Sequence, residues 1–216
     1  MALIVPSRAH LDRFLERVDP VRGRLIFALD ATASRQPCWD QSAALTAQMF
    51  SAVAAIGRLD VQLVYYRGDS ECVSSRWLSD AKTLSVTMRK VKCMAGYTQI
   101  GRVLRHARKE NGREKIAALV LISDACEEDP PHLYAEAREL GVPAFLFQEG
   151  DDARTERIYS ELARITGGAI AKFDTGAAQR LADLLKAVAA FATGGIKALV
   201  DQKTEAALLL LSQVRS

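Results

Sequence analysis

The sequence predicts an α/β fold of the doubly wound, Rossmann-like kind, in which helices cover both faces of a mostly parallel sheet. Nearly continuous apolar runs, such as residues 25–29 ("LIFAL"), are typical of strands buried on both faces. These runs alternate with helical segments about five times, and such alternation forms parallel sheets through right-handed crossovers. The 216 residues are 49% hydrophobic and 25% charged, as expected for one globular domain with a sizeable core.

The first half of the chain supplies two of the buried strands and an edge strand. A helical arm is predicted over 1–21, followed by the first strand at 24–30. Apolar residues at helical spacing predict a helix over 42–56, and Gly57 ends it. A second strand is predicted at 60–68. The more polar stretch that follows it, "ECVSSRWL", is predicted to pair antiparallel at the edge of the sheet.

The remaining predicted elements continue the alternation. Helices are expected at 80–91, 98–112, 130–140, 154–166 and 177–192, and strands at 115–125, 142–150 and 169–174. We therefore place a single domain at 22–193. Gly194 and Gly195 mark a break before a C-terminal segment, 194–216.

The C-terminal segment is predicted to hold one amphipathic helix over 196–214. Its apolar side needs a surface to bury against, which is the domain itself, another protein or a second copy of the chain in a homo-oligomer. The apolar residues of that side are Leu199, Val200, Ala207, Leu210, Leu211 and Val214.

Charge and apolar patterning exclude several classes of partner. The net charge is only +3, and its 29 basic and 26 acidic residues are interleaved, so we expect no nucleic-acid partner. No run approaches the roughly 20 apolar residues needed to span a bilayer, so we expect no membrane insertion. Pro6 and Arg8 break the first apolar stretch, and the cysteines form no CxxC pair. These features favour a cytoplasmic protein with reduced thiols, and the alanine- and arginine-rich composition favours a bacterial source.

Oxygen-bearing side chains stand where the predicted strands end. Asp30, Thr32 and Ser34 follow the first strand, Asp124 ends the third, and Thr98 opens a helix after a glycine. Ligands of doubly wound sheets bind beyond the carboxyl ends of the strands. Mg²⁺ prefers oxygen ligands and uses one or two carboxylates besides water. We therefore predict that these five side chains hold Mg²⁺ or Mn²⁺.

The same residues resemble a known motif. The stretch "DATAS" at 30–34, followed by Thr98 and by "SDA" at Asp124, resembles the metal-ion-dependent adhesion site of von Willebrand factor type A (VWA) domains. The family motif is Asp-x-Ser-x-Ser, then a distant Thr, then a distant Asp that is often followed by Gly. Here Thr32 replaces the middle serine and Ala125 replaces the glycine. The resemblance covers residues 24–192.

The resemblance implies a role for each ligand and for the chain. Ser34, Thr32 and Thr98 would supply hydroxyl oxygens, while Asp30 and Asp124 would act directly or through water. A carboxylate from a protein partner would complete the metal shell. The chain would then be a metal-dependent adaptor of the bacterial intracellular type. An AAA-type ATPase is a candidate partner, because relatives of that type often work beside such ATPases.

Two alternatives to metal-dependent binding are considered from the sequence. A metal-dependent phosphoester hydrolase of the haloacid dehalogenase type would need a second aspartate two residues after Asp30, where Thr32 stands. No G-x-x-x-x-G-K-[ST] or G-x-S-x-G motif is present, so no enzyme is expected. The hydroxyls and Asp124 could instead cap turns and helices in a structural module without metal function.

Thiolates and an acidic stretch lie near the predicted site in sequence. Cys38, Cys93 and Cys126 could hold a softer metal such as zinc, or could be small buried side chains. The stretch "EED" at 127–129 is expected to form a solvated acidic lip beside the site.

Overall fold

The computed structural model describes residues 23–33, 59–174 and 178–214. These ranges contain the strands β1 (Gly23–Asp30), β2 (Leu59–Arg67), β3 (Glu71–Ser74), β4 (Ala118–Ser123), β5 (Ala144–Glu149) and β6 (Ala169–Phe173). They form one sheet in the order β3-β2-β1-β4-β5-β6. Every neighbouring pair is parallel except β2 and β3, which are antiparallel. The predicted mostly parallel sheet with one antiparallel edge strand is confirmed.

Helices cover both faces of this sheet, as the fold class predicts. They are α1 (Ala81–Arg89), α2 (Ile100–Arg113), α3 (Pro130–Leu140), α4 (Ala153–Thr166), α5 (Ala178–Asp201) and α6 (Glu205–Leu211). The core between α1, α5, α6 and the sheet lies on one face, and the core of α2, α3 and α4 lies on the other. In the described part of the chain, no helix combines the length and apolarity that crossing a membrane requires. The predicted arm at 1–21 and helix at 42–56 lie outside the described residues.

The central strand β1 shows why the apolar runs are continuous. Leu25, Phe27 and Leu29 pack into the core on the α5 side, and Ile26 and Ala28 pack into the core on the α2 side. Successive side chains of a strand point to opposite faces, so a strand covered on both faces has no solvent-facing position for polar residues.

The helices begin and end at residues suited to these positions. Asp80, Asp129 and Asp152 accept hydrogen bonds from backbone N–H groups at the start of α1, α3 and α4. Gly141 and Gly167 end α3 and α4 in the left-handed conformation, each with φ of 72°. The start of α2 is the exception, because no side chain of its own N-cap residue bonds the helix.

The expectation of one helix over 196–214 is wrong. α5 continues through a kink at Gly195, where φ is 65° and ψ is −156°, and ends at Asp201. Lys203 then adopts a left-handed φ of 51°, and Thr204 starts the separate helix α6. Glycine tolerates a positive φ at little cost, so it concentrates the backbone change in one residue.

The segment after the kink packs back on the domain. Leu199 and Leu210 are fully buried in the core on the α5 side, whereas Val200, expected on the buried side, is 50% exposed. The side chain of Gln213 bonds the backbone of Ile170 on β6: its Nε2 donates to the carbonyl and its Oε1 accepts from the N–H, both at 2.9 Å. The end of the chain therefore occupies backbone groups at the open edge of β6.

Candidate metal centre

The strand order reverses between β1 and β4. From β1 the chain builds β2 and β3 on one side, and β4 then returns to the other side of β1. A crevice at such a switch point is the usual ligand site of doubly wound sheets. Asp30 is the last residue of β1, and Asp124 follows β4 directly, so the fold places both carboxylates at this point.

A cavity of about 270 Å³ opens at the switch point. Four of the five residues predicted as ligands, Asp30, Thr32, Thr98 and Asp124, line it. Ser34 is the fifth, and it lies outside the described residues. The other lining residues are Ala33, Ala95, Gly96, Ala125 and Glu127. Predicted ligands separated by up to 94 positions in sequence therefore share one cavity, as the topology predicts.

The carboxylate of Asp30 is buried and held by two donors. Its Oδ1 accepts the N–H of Thr32 at 2.8 Å, and its Oδ2 accepts the hydroxyl of Ser123 at 2.7 Å. Burial raises the pKa of Asp30 above its ordinary value, although the hydrogen bonds from Ser123 and Thr32 oppose that rise. The negative charge of Asp124 raises this pKa further. The contacts within the protein therefore do not fully offset the cost of burying the ionised form.

Thr98 is fixed by reciprocal hydrogen bonds to the loop after β4. Its hydroxyl accepts the N–H of Glu127 at 3.1 Å, and its own N–H donates to Oε2 of Glu127 at 2.9 Å. Next to this pair, the carboxylate of Glu128 accepts the N–H groups of Ile100 and Gly101 at the start of α2. These bonds satisfy backbone donors that the first turn of a helix leaves open. They join α2 to the site although its own N-cap side chain makes no such bond.

The acidic stretch at 127–129 was expected to be a solvated lip, but its carboxylates also make hydrogen bonds within the protein. Glu127 and Asp129 are exposed, but the carboxylates of Glu127, Glu128 and Asp129 all accept hydrogen bonds from backbone N–H groups at helix starts. Glu127 lines the cavity and Ser123 bonds Asp30 at its base, and neither was among the predicted site residues. Ser123 could have been found from the sequence, because it ends a central strand. The bonds of Glu127 connect positions 29 residues apart and have no local signal.

The loop over 94–97 forms the opposite wall of the cavity. The N–H of Met94 donates to the carbonyl of Ala31 at 3.0 Å, and the N–H of Tyr97 donates to the carbonyl of Gly68 at 3.3 Å. Gly96 lies directly against Gly68, since a Cβ at Gly96 would be 2.1 Å from that carbonyl oxygen. This close approach requires glycine at 96 and fixes the wall relative to β1 and β2.

The alternative of a thiolate site across the predicted cysteines does not fit the geometry. Cys126 is buried in the core on the α2 side, whereas Cys93 packs at the core on the α5 side, so the sheet separates them. Burial raises the pKa of the Cys126 thiol to about 11, which keeps it protonated at neutral pH. Cys38 lies outside the described residues, and Cys72, Cys93 and Cys126 are thiols that form no disulfide with one another.

The donor set of the cavity suits a small, hard cation. The carboxylates of Asp30 and Asp124 line it together with two threonine hydroxyls, and Mg²⁺ uses few carboxylates and retains water. Over the residues that the structure describes, no three His, Cys, Asp or Glu side chains gather as a metal-binding cluster, so a site built mainly from such ligands is not present there. A cation beside Asp30 would also offset the cost of burying its charge.

The fold is that of von Willebrand factor type A domains. Among solved structures, the chain is similar to the VWA domain of SpRpn10, with a TM-score of 0.55 and 12% identity over 72% of this chain and 88% of that domain. The predicted class of fold is thereby confirmed at the level of architecture.

Two larger proteins contain a similar unit. The pilus adhesin SpaC from Lactobacillus rhamnosus GG gives a TM-score of 0.63 at 11% identity, covering 80% of this chain and 30% of the adhesin chain. A variant of the PilB minor pilin from Streptococcus sanguinis gives a TM-score of 0.62 at 11% identity, covering 80% of this chain and 62% of the pilin chain. The chain thus spans about a third of the adhesin's length.

Comparison of the sequence with protein-family models and with curated proteins gave no match. The similarity that these comparisons show therefore lies in the architecture.

Proposed function

We propose that the chain is a protein-binding module that depends on Mg²⁺ or Mn²⁺, and that a carboxylate of the partner completes the metal shell. Asp30, Thr32, Ser34, Thr98 and Asp124 are the proposed ligands. The observation that carries the proposal is the single cavity lined by four of them, with the Asp30 carboxylate buried and oriented at its base. An adaptor role, with an AAA-type ATPase as one candidate partner, extends the proposal through the family resemblance.

The cavity favours binding over catalysis. A haloacid dehalogenase-type hydrolase needs a general acid two residues after its first aspartate, and the buried Thr32 at that position cannot transfer a proton as a carboxylic acid does. Thr32, Thr98 and both aspartates supply oxygen donors, and the described residues that line the cavity include no histidine or cysteine. Such a donor set holds a cation and leaves positions for water or for a partner's oxygen.

Thermal unfolding with and without metal tests the metal-binding half of the proposal. A cation that binds only the folded protein stabilises it by about 2.7 kcal/mol at one hundred times its dissociation constant. For a chain of this size, that raises Tm by about 5–10 °C. We expect Mn²⁺ to raise Tm for the wild type and EDTA to reverse the rise. Asp30→Asn is expected to abolish it.

Asp60→Asn is the matched control, because Asp60 lies near the start of β2, at the opposite end of the sheet from the cavity. This variant should respond to Mn²⁺ as the wild type does. An unchanged Tm for the wild type, or an equal rise in Asp30→Asn, would leave a structural module without metal function. Turnover of a phosphoester that disappears in Asp30→Asn would instead establish the hydrolase.

A further inference from the structure

We propose that the partner segment recognised at this site is an acidic peptide that carries an apolar side chain beside its coordinating carboxylate. Met94 and Tyr97 would contact the apolar side chain, and Arg89, Lys90 and Lys92 would attract the additional acidic residues. This inference rests on the proposed metal-dependent binding and specifies the chemistry of its partner.

Two exposed apolar side chains flank the loop residues that line the cavity. Tyr97 is 65% exposed and Met94 is 46% exposed, and the two residues between them, Ala95 and Gly96, line the cavity. The other large apolar side chains with high exposure in the described ranges are Val73, Val86, Val200 and Leu208, and none of them is next in sequence to a residue that lines the cavity. An aromatic and a thioether side chain next to a polar pocket are the residue types that protein interfaces favour.

The backbone holds these side chains in place. Met94 is bonded to Ala31 and Tyr97 to Gly68 through their N–H groups, and the carbonyl of Lys92 accepts the guanidinium of Arg67 at 2.6 Å. The methyl end of Met94 lies over Gly68, where an added Cβ would be 2.6 Å from it. A contact surface that is already ordered loses little conformational entropy on binding. The loop therefore presents an apolar surface that is ready for a partner.

Three basic residues come shortly before this loop in the sequence. Arg89, Lys90 and Lys92 are exposed and form no ion pair with any residue in the described parts of the chain. On the other wall, the carboxylates of Glu127 and Glu128 are engaged by backbone N–H groups. Arg89, Lys90 and Lys92 therefore add positive charge directly before the loop that lines the cavity, and charge complementarity with them favours further acidic residues in the partner segment.

Selection from a peptide library tests the partner chemistry. Short peptides with a fixed central Asp and random flanking residues are displayed and selected on the immobilised full chain, in Mg²⁺ and in EDTA. We expect enrichment that requires Mg²⁺, with aromatic or aliphatic residues next to the Asp and further Asp or Glu in the flanks. The best peptide should bind the double variant Met94→Ser, Tyr97→Ser about tenfold more weakly than the wild type.

Further variants separate the contributions. Val86→Ser removes an exposed apolar side chain on α1 away from the cavity, and it should leave binding unchanged. The triple variant Arg89→Gln, Lys90→Gln, Lys92→Gln should lose the preference for acidic flanks while keeping the requirement for Mg²⁺. Unfolding curves that match the wild type would confirm that each variant is folded.

The outcomes distinguish this inference about the partner's chemistry from the proposed metal-dependent binding on which it rests. Enrichment that requires Mg²⁺ but shows no apolar preference, or that favours Lys and Arg in the flanks, overturns the inference and leaves metal-dependent binding intact. Enrichment that persists in EDTA or in Asp30→Asn overturns both. A complete lack of enrichment also counts against both, because the fixed Asp supplies the carboxylate that the metal shell requires.

Discussion

The hydroxyl of Ser123 donates a 2.7 Å hydrogen bond to Oδ2 of Asp30, across the junction between β1 and β4. The two residues are neighbours because Leu29 pairs with Ile122 in the parallel register, which places the next residue of each strand side by side. The N–H of Thr32 holds the other carboxylate oxygen at 2.8 Å. The central register of the sheet therefore sets the orientation of the Asp30 carboxylate, which is one of the proposed ligands.

Removing that hydroxyl should weaken the metal site without displacing the ligands. We expect Ser123→Ala to lower the affinity for Mn²⁺ about tenfold, because partners that orient metal ligands commonly contribute 10–100-fold. Titration calorimetry measures the change. Ser79→Ala is the matched control, since Ser79 donates a 2.6 Å hydrogen bond to Asp60 away from the cavity. Equal affinity in Ser123→Ala and the wild type would show that Ser123 does not support the site.

Neutralising Asp30 should stabilise the metal-free protein. Burial raises the pKa of Asp30, so the folded protein binds this proton more tightly than the unfolded chain does. Its favourable contribution is complete below the unfolded pKa and is lost as the pH rises through the raised, folded value. An amide in place of this carboxylate would carry no charge to bury. In EDTA, we expect Asp30→Asn to have a higher Tm than the wild type at neutral pH, and this gain should disappear in acid. A lower Tm for the variant at neutral pH would contradict the expectation.

The bonds of Glu128 should stabilise the start of α2. Glu128 accepts the N–H groups of Ile100 and Gly101, and no side chain of the helix's own N-cap residue replaces them. We expect Glu128→Ala to lower the free energy of unfolding by about 1–2 kcal/mol, the usual cost of losing a helix cap. Urea unfolding measures it. Glu139→Ala, an exposed change on α3, should have no comparable effect.

The sequence could predict most of this fold because local signals agreed with the architecture. Apolar runs covered on both faces identified β1 and β4, and glycines marked the ends of α3 and α4. The C-terminal segment was harder, because its apolar residues fit one helix as well as two. The kink at Gly195 and the left-handed turn at Lys203 depend on packing against the domain, which no local pattern encodes.

The sequence could predict which residues share the cavity as far as each proposed ligand stands at the end of an element. Asp30, Thr32 and Asp124 follow central strands, so topology alone brings them together. The role of Glu127 could not be predicted, because its partner Thr98 is 29 residues away and the contact exists only once the residues before α2 lie beside the loop after β4. The pattern of three consecutive acids indicates solvation, whereas in the fold backbone N–H groups engage each carboxylate.

Asp80 should make the stability of α1 depend on pH. The N–H of Thr83 donates to Oδ1 of Asp80 at 2.7 Å, and this bond, with a further one from the Thr83 hydroxyl, lowers the pKa of Asp80. The stabilisation is present above the unfolded pKa and is lost as the pH falls through the lowered, folded value. We expect Asp80→Ala to lower Tm at neutral pH and to cause a smaller loss in acid. A loss that is independent of pH, or one equalled by Asp201→Ala, would contradict this assignment.

Gln213 should protect the edge of the sheet. Its amide satisfies both backbone groups of Ile170, and unpaired groups on an edge strand are a template for pairing with another chain. We expect Gln213→Ala to lower the free energy of unfolding by about 1 kcal/mol, the net contribution of an ordinary hydrogen bond. It should also increase self-association with protein concentration. Urea unfolding and sedimentation measure the two effects.

Gln202→Ala is a matched control, because Gln202 lies at the turn between α5 and α6 and not on β6. The two readouts separate two roles of the Gln213 amide. If stability falls but the protein stays monomeric, the amide contributes only to packing, and α6 itself shields β6. If association rises in Gln213→Ala and not in Gln202→Ala, the amide is the group that blocks strand pairing, because it occupies the N–H and the carbonyl that an added strand would use.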